Sequence, residues 1–179
     1  MKYTYFETET LEKDLRLSGR FLYSLSNSIG RHYHLKRIEK EDGSFRTLCI
    51  PDQSLKYVQK RISEVLLSPM PVSSHAKAYG FGSSPCRNAK KHLNQKVIVK
   101  LDIRAFFDHI TYAQLRERVF GEDRFSRNNS ILLCILCTFD GYLPQGSPAS
   151  PAISNILMYD FDESVGAFCQ KRGIVYTRY

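Results

Sequence analysis

The chain has 179 residues, 42% of them hydrophobic, which supports one folded core and argues against disorder. Its 26 Lys and Arg residues outnumber 18 Asp and Glu residues, and the formal charge of +8 favours a polyanionic partner. No apolar run approaches the ~20 residues that span a bilayer, and the N-terminus has no apolar signal core, so we expect a cytoplasmic chain without membrane contact.

The first fifty residues predict helices followed by a β-hairpin. Spaced leucines and other apolar residues over 8–30 indicate one or two helices that end at Gly30. Residues 33–50 form two moderately alternating runs around Asp42-Gly43, a pair typical of tight hairpin turns. Pro51 then ends the second strand.

Residues 52–67 predict an amphipathic helix, because Leu55, Val58, Ile62, Val65 and Leu66 share one face. Pro69 and Pro71 end it. Three cations lie on or beside the opposite face, where they either contact a polyanion or are simply solvated. They are Lys56, Lys60 and Arg61.

The densest positive segment runs from Lys77 to Arg104. It contains seven basic residues against one acid, and it carries Tyr79 and Phe81 beside glycines. Cations interleaved with aromatic side chains can neutralise phosphates and stack on bases or riboses. The basic residues are Lys77, Arg87, Lys90, Lys91, Lys96, Lys100 and Arg104.

Within this segment, the apolar run 97–101 predicts a buried strand with Asp102 at its end. A carboxylate at that position is costly to bury unless it is paired or binds a metal ion. A turn cap or an ion pair with Arg104 is the alternative. The following sequence, 111–114, is typical of a capping box that starts a helix.

Two cysteines, Cys134 and Cys137, have metal-like spacing, but they lie in an apolar helical pattern without a second pair, so we expect core thiols. The odd number of cysteines, five, fits a reducing compartment.

Three prolines and a glycine within 143–151 forbid a helix or central strand and predict a stiff turn that can lie close to a ligand. Residues 152–161 then predict an amphipathic helix, with Ser150 as its N-cap and Pro151 at its first position. We expect the following acids, Asp160, Asp162 and Glu163, to form a solvated or structural face.

Four of these segments together resemble one protein family. LDIRAFFDHI at 101–110 is similar to the first catalytic palm motif of reverse transcriptases, and LPQGSPASPAISN at 143–155 is similar to their next motif. YTRY at 176–179 is similar to the lead-in to their Tyr-x-Asp-Asp strand. Asn88-Ala89-Lys90-Lys91-His92 resembles the Asn-Ala-x-x-His element of retron-type bacterial enzymes. The resemblance covers residues 31–179 in matching order and approximate spacing.

The resemblance implies an α/β (α+β) right-hand polymerase fold with fingers, a partial palm and no thumb. Its parts would be an N-terminal helical segment at 1–32, fingers at 33–95, the first part of the palm at 96–111, a fingers-side helical insertion at 112–141 and the second part of the palm at 142–179.

It also implies RNA-directed DNA synthesis by two-metal nucleotidyl transfer, with Mg²⁺, or Mn²⁺ in its place, as the cofactor. Two such ions lie ~3.5–4 Å apart, so carboxylates must converge on one point. Asp102 matches the catalytic carboxylate and metal ligand, and the backbone carbonyl of Ile103 would join the same ion.

The nucleotide contacts implied by the resemblance come from both motifs and from the fingers hairpin. Lys40 and Arg46 match the cations that close over the triphosphate, although solvated surface charge is the alternative for both. Phe107 matches the side chain that excludes a 2′-hydroxyl, with core packing as its alternative. Gln145 and Gly146 match residues that contact the incoming nucleotide.

For RNA binding we expect a basic set around the Asn-Ala-x-x-His element, for which a local structural role is equally open. The set is Lys77, Arg87, Asn88, Lys90, Lys91 and His92. The implied partners are a structured template RNA, an RNA/DNA hybrid, deoxynucleoside triphosphates and an effector protein, and the implied biology is antiviral defence against phage.

Two further family carboxylates would follow Tyr179, so we expect the 179-residue chain alone to be inactive and to leave an exposed sheet edge. One alternative is a non-catalytic RNA-binding protein that has kept the fingers. A second is a parent of the group II intron or diversity-generating type, which the Asn-Ala-x-x-His element disfavours. A metalloenzyme acting on another substrate is least favoured, because the histidines are scattered.

Overall fold

In the computed structural model, residues 4–39, 43, 45–80 and 82–179 are described, and they combine a helical core with one small sheet. This mixture is consistent with the predicted α/β class. The strands are β1 Tyr33–Glu39 and β2 Phe45–Pro51. The α-helices are α1 Thr8–Leu15, α2 Gly19–Ser26, α3 Gln53–Ile62, α4 Pro85–Lys90, α5 Tyr112–Arg118, α6 Arg127–Cys137, α7 Ser150–Leu157 and α8 Tyr159–Gln170. Within the described ranges, no helix is both long and apolar enough to cross a membrane.

The N-terminal region contains two helices, where the sequence predicts one or two, but the second helix ends earlier than predicted. Helix α2 stops at Ser26, and Gly30 lies in a 3₁₀ turn, Ile29–His32, that leads into β1. Leu11, Leu15 and Leu22 are fully buried, because their spacing directs them to one side of the helix pair.

Helix α6 forms the centre of the core and packs against α2, α3 and α5. Its two cysteines are free and fully buried, which confirms the prediction that they are core thiols. Burial raises the pKa of the Cys134 thiol to about 12, because the thiolate would lose its hydration.

The predicted hairpin is confirmed, with antiparallel pairing from Tyr33 opposite Pro51 to Glu39 opposite Phe45. The sequence between the strands includes Lys40, which lies outside the described residues. At the base of the hairpin, the buried Gln59 amide donates to the Tyr33 hydroxyl at 2.7 Å and to the Leu136 carbonyl at 2.8 Å. These bonds join β1, α3 and α6.

Helix α3 follows directly and confirms the amphipathic prediction, and its last turn continues as a π-helix over Ser63–Leu67. Asp52 caps its N-terminus by accepting from Leu55 N at 2.8 Å, and it pairs with His32 Nδ1 at 2.7 Å. Burial acts to raise the pKa of Asp52. The hydrogen bonds from Leu55, His32 and Ser54, together with the charge of His32, outweigh it, so the pKa is lowered.

The predicted buried strand at 97–101 is wrong for this structure. These residues form no regular secondary structure and pair with no strand in the described part of the chain, and Leu101 is 89% exposed. β-branched residues favour a strand, but a strand forms only where a neighbour supplies hydrogen bonds and a covering layer. Neither condition is met by the elements described.

The helix after the proline-rich turn also differs from prediction. It begins at Ser150 itself, with Ala149 at the cap position, so Ser150 is not the N-cap. The helix breaks at Met158 and continues as α8, which places Asp162 in a second helix. The predicted capping box, by contrast, is confirmed: Thr111 and Gln114 bond reciprocally at the start of α5.

Candidate functional site

A cleft of about 440 Å³ lies where the hairpin, α3 and the turn 143–151 meet. Four residues that the sequence assigned to nucleotide contact line this cleft although they come from distant parts of the chain. They are Arg46 from β2, Phe107, and Gln145 with Gly146 from the turn. Arg46 is exposed, so its guanidinium is available to an anion.

The turn is joined directly to the hairpin through its backbone. Cys49 N of β2 donates to the Gln145 carbonyl at 2.8 Å, and Gly146 has a φ of 125°, a conformation that only glycine adopts readily. A Cβ on Gly146 would lie 2.8 Å from the Cys49 carbonyl oxygen. The sequence predicted that the backbone at Gly146 lies close to a ligand. In the structure, part of that close contact is made with β2 of the protein itself.

Hydrogen bonds within the turn hold its shape. The Ser150 hydroxyl donates to the Pro144 carbonyl at 2.8 Å, and Ala149 N donates to Ser147 Oγ at 3.2 Å. Leu143 N donates to the Ile110 carbonyl at 2.9 Å, which joins the turn to the segment that follows Phe107. The two motif segments thus contact each other, and the turn also contacts the hairpin.

Phe107 lies in a 3₁₀ helix, Phe106–His109, that starts after the left-handed residue Ala105. Phe106 and Phe107 are both half-buried against the core, with ring centroids 5.5 Å apart. Only Phe107 of the two lines the cleft. Phe107 therefore packs on the core and lines the cleft at the same time. Phe106 packs on the core without lining the cleft, so it can serve as a control in substitution experiments.

Asp102 and Ile103 lie on the exposed irregular segment that leads into this 3₁₀ helix. No group of three or more His, Cys, Asp or Glu side chains in the described ranges is arranged to hold a metal ion. Mg²⁺ prefers six oxygen ligands in near-octahedral geometry, keeps several waters, and accepts one or two carboxylates plus substrate phosphates. The Asp102 carboxylate and the Ile103 carbonyl fit two of those positions chemically, and they do not form a complete site.

Of the six residues predicted to contact RNA, three are exposed and three are half-buried. Arg87, Lys90 and Lys91 are exposed, and Arg87 Nη1 donates to the Gly82 carbonyl at 2.7 Å. Lys77 is half-buried and its ammonium donates to the Ser74 carbonyl. Asn88 and His92 are also half-buried, with His92 Nε2 lying 2.7 Å from Thr177 Oγ1. The cations thus face solvent or the local backbone, whereas His92 contacts the C-terminal segment.

The model of the family described as reverse transcriptase (RNA-dependent DNA polymerase) matches residues 38–179. The chain belongs to the reverse transcriptase family. The matched range includes β2, the cleft, both motif segments and the Asn-Ala-x-x-His element, and it therefore accounts for most of the structure described above.

Curated relatives of this reverse transcriptase chain are retron enzymes. The chain is 32% identical to the Retron Mx162 reverse transcriptase of Myxococcus xanthus, over 96% of this chain and 40% of that protein. It is 32% identical to the Retron Ec83 reverse transcriptase of Escherichia coli, over 83% and 50%, and 28% identical to the Retron Ec86 enzyme, over 94% and 53%. The chain thus spans about half the length of the curated relatives it matches.

Several residues that line this reverse transcriptase cleft were not assigned to it from the sequence, and two of them come from outside the hairpin and the turn. Lys56 of α3 and Tyr79 both line it, although the sequence had marked them only as a helix-face cation and an aromatic in the basic segment. Tyr79 has a left-handed φ of 63°, and the preceding Ala78 carbonyl accepts from Asn155 Nδ2 at 3.0 Å. No local pattern shows this, because the contact joins residues 77 positions apart.

The acidic group on α8 is structural at its centre. Asp162 is fully buried and accepts from Arg178 Nη2 at 2.7 Å and from the Tyr176 hydroxyl at 2.9 Å. Burial, followed by the hydrogen bond to Asp162, raises the pKa of Tyr176. Asp160 is exposed and pairs with Arg118. Glu163 is exposed and accepts from Ser73 Oγ at 2.6 Å. Of the three acids expected to form a solvated or structural face, two are therefore exposed and one is buried.

Proposed function

We propose that the chain is the nucleotide- and RNA-binding N-terminal part of a retron-type reverse transcriptase, and that the whole protein copies a structured RNA into DNA. The observation that carries this proposal is the cleft. Arg46, Phe107, Gln145 and Gly146 were selected by motif resemblance alone, and all four line one cavity. A cavity of about 440 Å³ is within the range that accommodates a ligand of nucleotide size.

Each cleft residue has a chemical role suited to a deoxynucleoside triphosphate. The Arg46 guanidinium binds phosphate oxygens bidentately, and the Gln145 amide hydrogen-bonds to the nucleotide beside Gly146. Phe107 occupies the space that a ribose 2′-hydroxyl would need. Lys56, which also lines the cleft, adds a second cation toward the phosphates.

Asp102 and the Ile103 carbonyl would hold a divalent ion, Mg²⁺ or Mn²⁺, together with groups outside the residues described. Such an ion, when bound, stabilises the charge that develops during nucleotidyl transfer. Lys90 and Lys91 are exposed on one end of α4, where they can neutralise RNA phosphates. Arg87 lies on the same short helix and extends this basic surface.

The first experiment is primer extension on an RNA template by the reverse transcriptase as its gene encodes it. Phe107→Ala is compared with Phe106→Ala, which removes the neighbouring ring outside the cleft lining. We expect Phe107→Ala to raise ribonucleotide use relative to deoxynucleotide use by about tenfold or more, since removing a close steric contact changes discrimination by that order. Equal effects of the two substitutions would contradict the proposed role of Phe107.

The triphosphate contact is tested in the same assay with Arg46→Ala, and with Arg37→Ala as the matched control. Arg37 is exposed on the neighbouring strand and stacks over Phe45 instead of lining the cleft. Removing a charge-assisted contact of ~1.5–3 kcal/mol should raise the KM for deoxynucleotides by roughly 10- to 100-fold in the Arg46 variant only. An unchanged KM would refute the phosphate role.

A non-catalytic RNA-binding protein is the second candidate, and one observation favours it. Asp102 is exposed and belongs to no group of three or more His, Cys, Asp or Glu side chains that could hold a metal ion in the described residues. Asp102→Asn separates the candidates, because a catalytic role predicts loss of DNA synthesis with unchanged affinity for RNA. If wild-type protein binds RNA with strong salt dependence but makes no DNA under any divalent ion, the non-catalytic function is correct.

A further inference from the structure

Residues 176–178 are held from two directions immediately before Tyr179. Successive side chains of an extended segment point to opposite faces. Tyr176 and Arg178 both contact Asp162, and Arg178 makes three hydrogen bonds to its carboxylate, at 2.9, 3.1 and 2.7 Å. Thr177, which lies between them, contacts His92 instead. The segment is therefore bound by α8 through its first and last side chains and by the Asn-Ala-x-x-His element through its middle one.

The backbone of this segment is fixed as well. Arg178 N donates to the His75 carbonyl at 2.9 Å, and Lys77 N donates to the Arg178 carbonyl at 2.7 Å, which forms a parallel β-bridge. His75 Nδ1 also lies 3.2 Å from the Tyr176 carbonyl oxygen. The His75 ring also packs closely against Gly166 of α8. A Cβ added to Gly166 would overlap the ring, which shows how close this contact is. The backbone of the segment is therefore held by residues 75 and 77.

The Asn-Ala-x-x-His element has an inner and an outer side. Asn88 and His92 are four residues apart, which brings them to the same side of a helical turn, and both are half-buried. Lys90 and Lys91 between them are exposed. The element can therefore present cations outward while His92 makes a contact inside the protein.

We propose that His92 is a positioning residue that fixes the segment leading into the Tyr-x-Asp-Asp carboxylates of the family through its hydrogen bond to Thr177. The inference rests on the proposed function, because the resemblance places the start of that motif at Tyr179. A misplacement of about 1 Å can lower the rate of catalysis by about 100-fold. One hydrogen bond two residues from the motif can therefore affect catalysis without touching the substrate.

The first test uses the 179-residue chain and needs no polymerase activity. Amide hydrogen exchange is measured at Arg178 and Lys77, whose N–H groups form the β-bridge. Loss of one ordinary hydrogen bond should speed exchange there about fivefold in His92→Ala and in Thr177→Val. Thr177→Ser, which keeps the hydroxyl, should restore wild-type exchange.

Lys91→Ala is the matched control, since it removes an exposed cation of the same element and should leave exchange unchanged. Exchange in the buried helix α6 must also stay unchanged, which shows that the variants are folded. If both His92→Ala and Thr177→Val leave exchange at Arg178 and Lys77 at wild-type rates, His92 does not hold the segment and the inference is wrong.

The second test measures catalysis in the reverse transcriptase as its gene encodes it. His92→Ala and Thr177→Val should each lower kcat about tenfold or more, the double variant should be no worse than either single one, and affinity for template RNA should not change. An RNA-contact role predicts the reverse: His92→Ala weakens RNA binding and Thr177→Val has no effect, which would overturn the inference. If wild-type protein makes no DNA, the proposed function fails, while the exchange data still decide whether His92 holds the segment.

Discussion

Substitution of Gly146 by alanine tests whether the cleft depends on direct contact between the proline-rich turn and the hairpin. Gly146 has a φ of 125°, and a Cβ there would lie 2.8 Å from the Cys49 carbonyl oxygen and 3.4 Å from the Cys49 carbonyl carbon. The obstacle is backbone, so no side chain can rotate away. Either the turn or β2 must move, and β2 carries Arg46.

Two contributions determine how much Gly146→Ala lowers the free energy of unfolding. A non-glycine residue in this backbone region costs ~1–3 kcal/mol. Relieving the overlap lengthens or breaks the bond from Cys49 N to the Gln145 carbonyl, which is worth ~1 kcal/mol. We therefore expect Gly146→Ala to lower the free energy of unfolding by about 2–4 kcal/mol, a large part of the ~5–15 kcal/mol typical of a folded domain.

Urea unfolding of the 179-residue chain measures this loss, and the chain contains its own controls. Gly141 has a φ of 81°, and no described atom lies within 4 Å of the position that an added Cβ would take, so Gly141→Ala carries the backbone cost alone, ~1–2 kcal/mol. Gly30 has neither constraint, and Gly30→Ala should change stability by less than about 0.5 kcal/mol. Equal losses in Gly146→Ala and Gly141→Ala would refute the argument from contact with Cys49.

Three further predictions concern charge and burial. Asp162→Asn should cost about 3–5 kcal/mol in urea unfolding because it removes the buried carboxylate that pairs with Arg178, whose side chain is 15% exposed, whereas exposed Asp160→Asn should cost less than about 1 kcal/mol. The folded pKa of Asp52 is lowered, so its charge stabilises the fold above the unfolded pKa of about 4, and this advantage over Asp52→Asn should be lost as pH falls through the lowered folded pKa; a difference in stability that is independent of pH would contradict it. A thiol reagent should label exposed Cys86 in the native chain and Cys134 only after unfolding, as mass spectrometry of quenched samples would show.

The helices and the hairpin could be predicted because their signals are local. The apolar spacing of α3 and the capping box of α5 depend on residues within a turn or two, and the structure has both. The end of α2 and the break at Met158 depend on packing between helices, and no periodicity in the sequence marks them. Errors therefore gather at element ends, where local preference is weakest.

The sequence predicted four of the residues that line the cleft, but not how they are arranged. Motif resemblance selected Arg46, Phe107, Gln145 and Gly146 one by one, and the fold brings them together. Lys56 and Tyr79 were missed because their inclusion depends on how α3 and the Asn155–Ala78 hydrogen bond orient distant segments. Similarly, a single sequence cannot show that the side chain of His92 meets Thr177, 85 residues away.

The segment 97–103 carries the most informative difference between sequence and structure. Its residues have strand-forming side chains and include Asp102, yet Val97, Val99 and Leu101 are among the most exposed apolar residues described. Strand pairing needs backbone hydrogen bonds from a neighbouring strand, and a two-metal site needs further ligands from another segment. Both therefore require a second segment beside residues 97–103. The cleft, by contrast, is lined by residues outside that segment. We therefore expect binding of a nucleotide and its chemical reaction to be separable in this chain, so that measurements of affinity and of DNA synthesis respond to different substitutions.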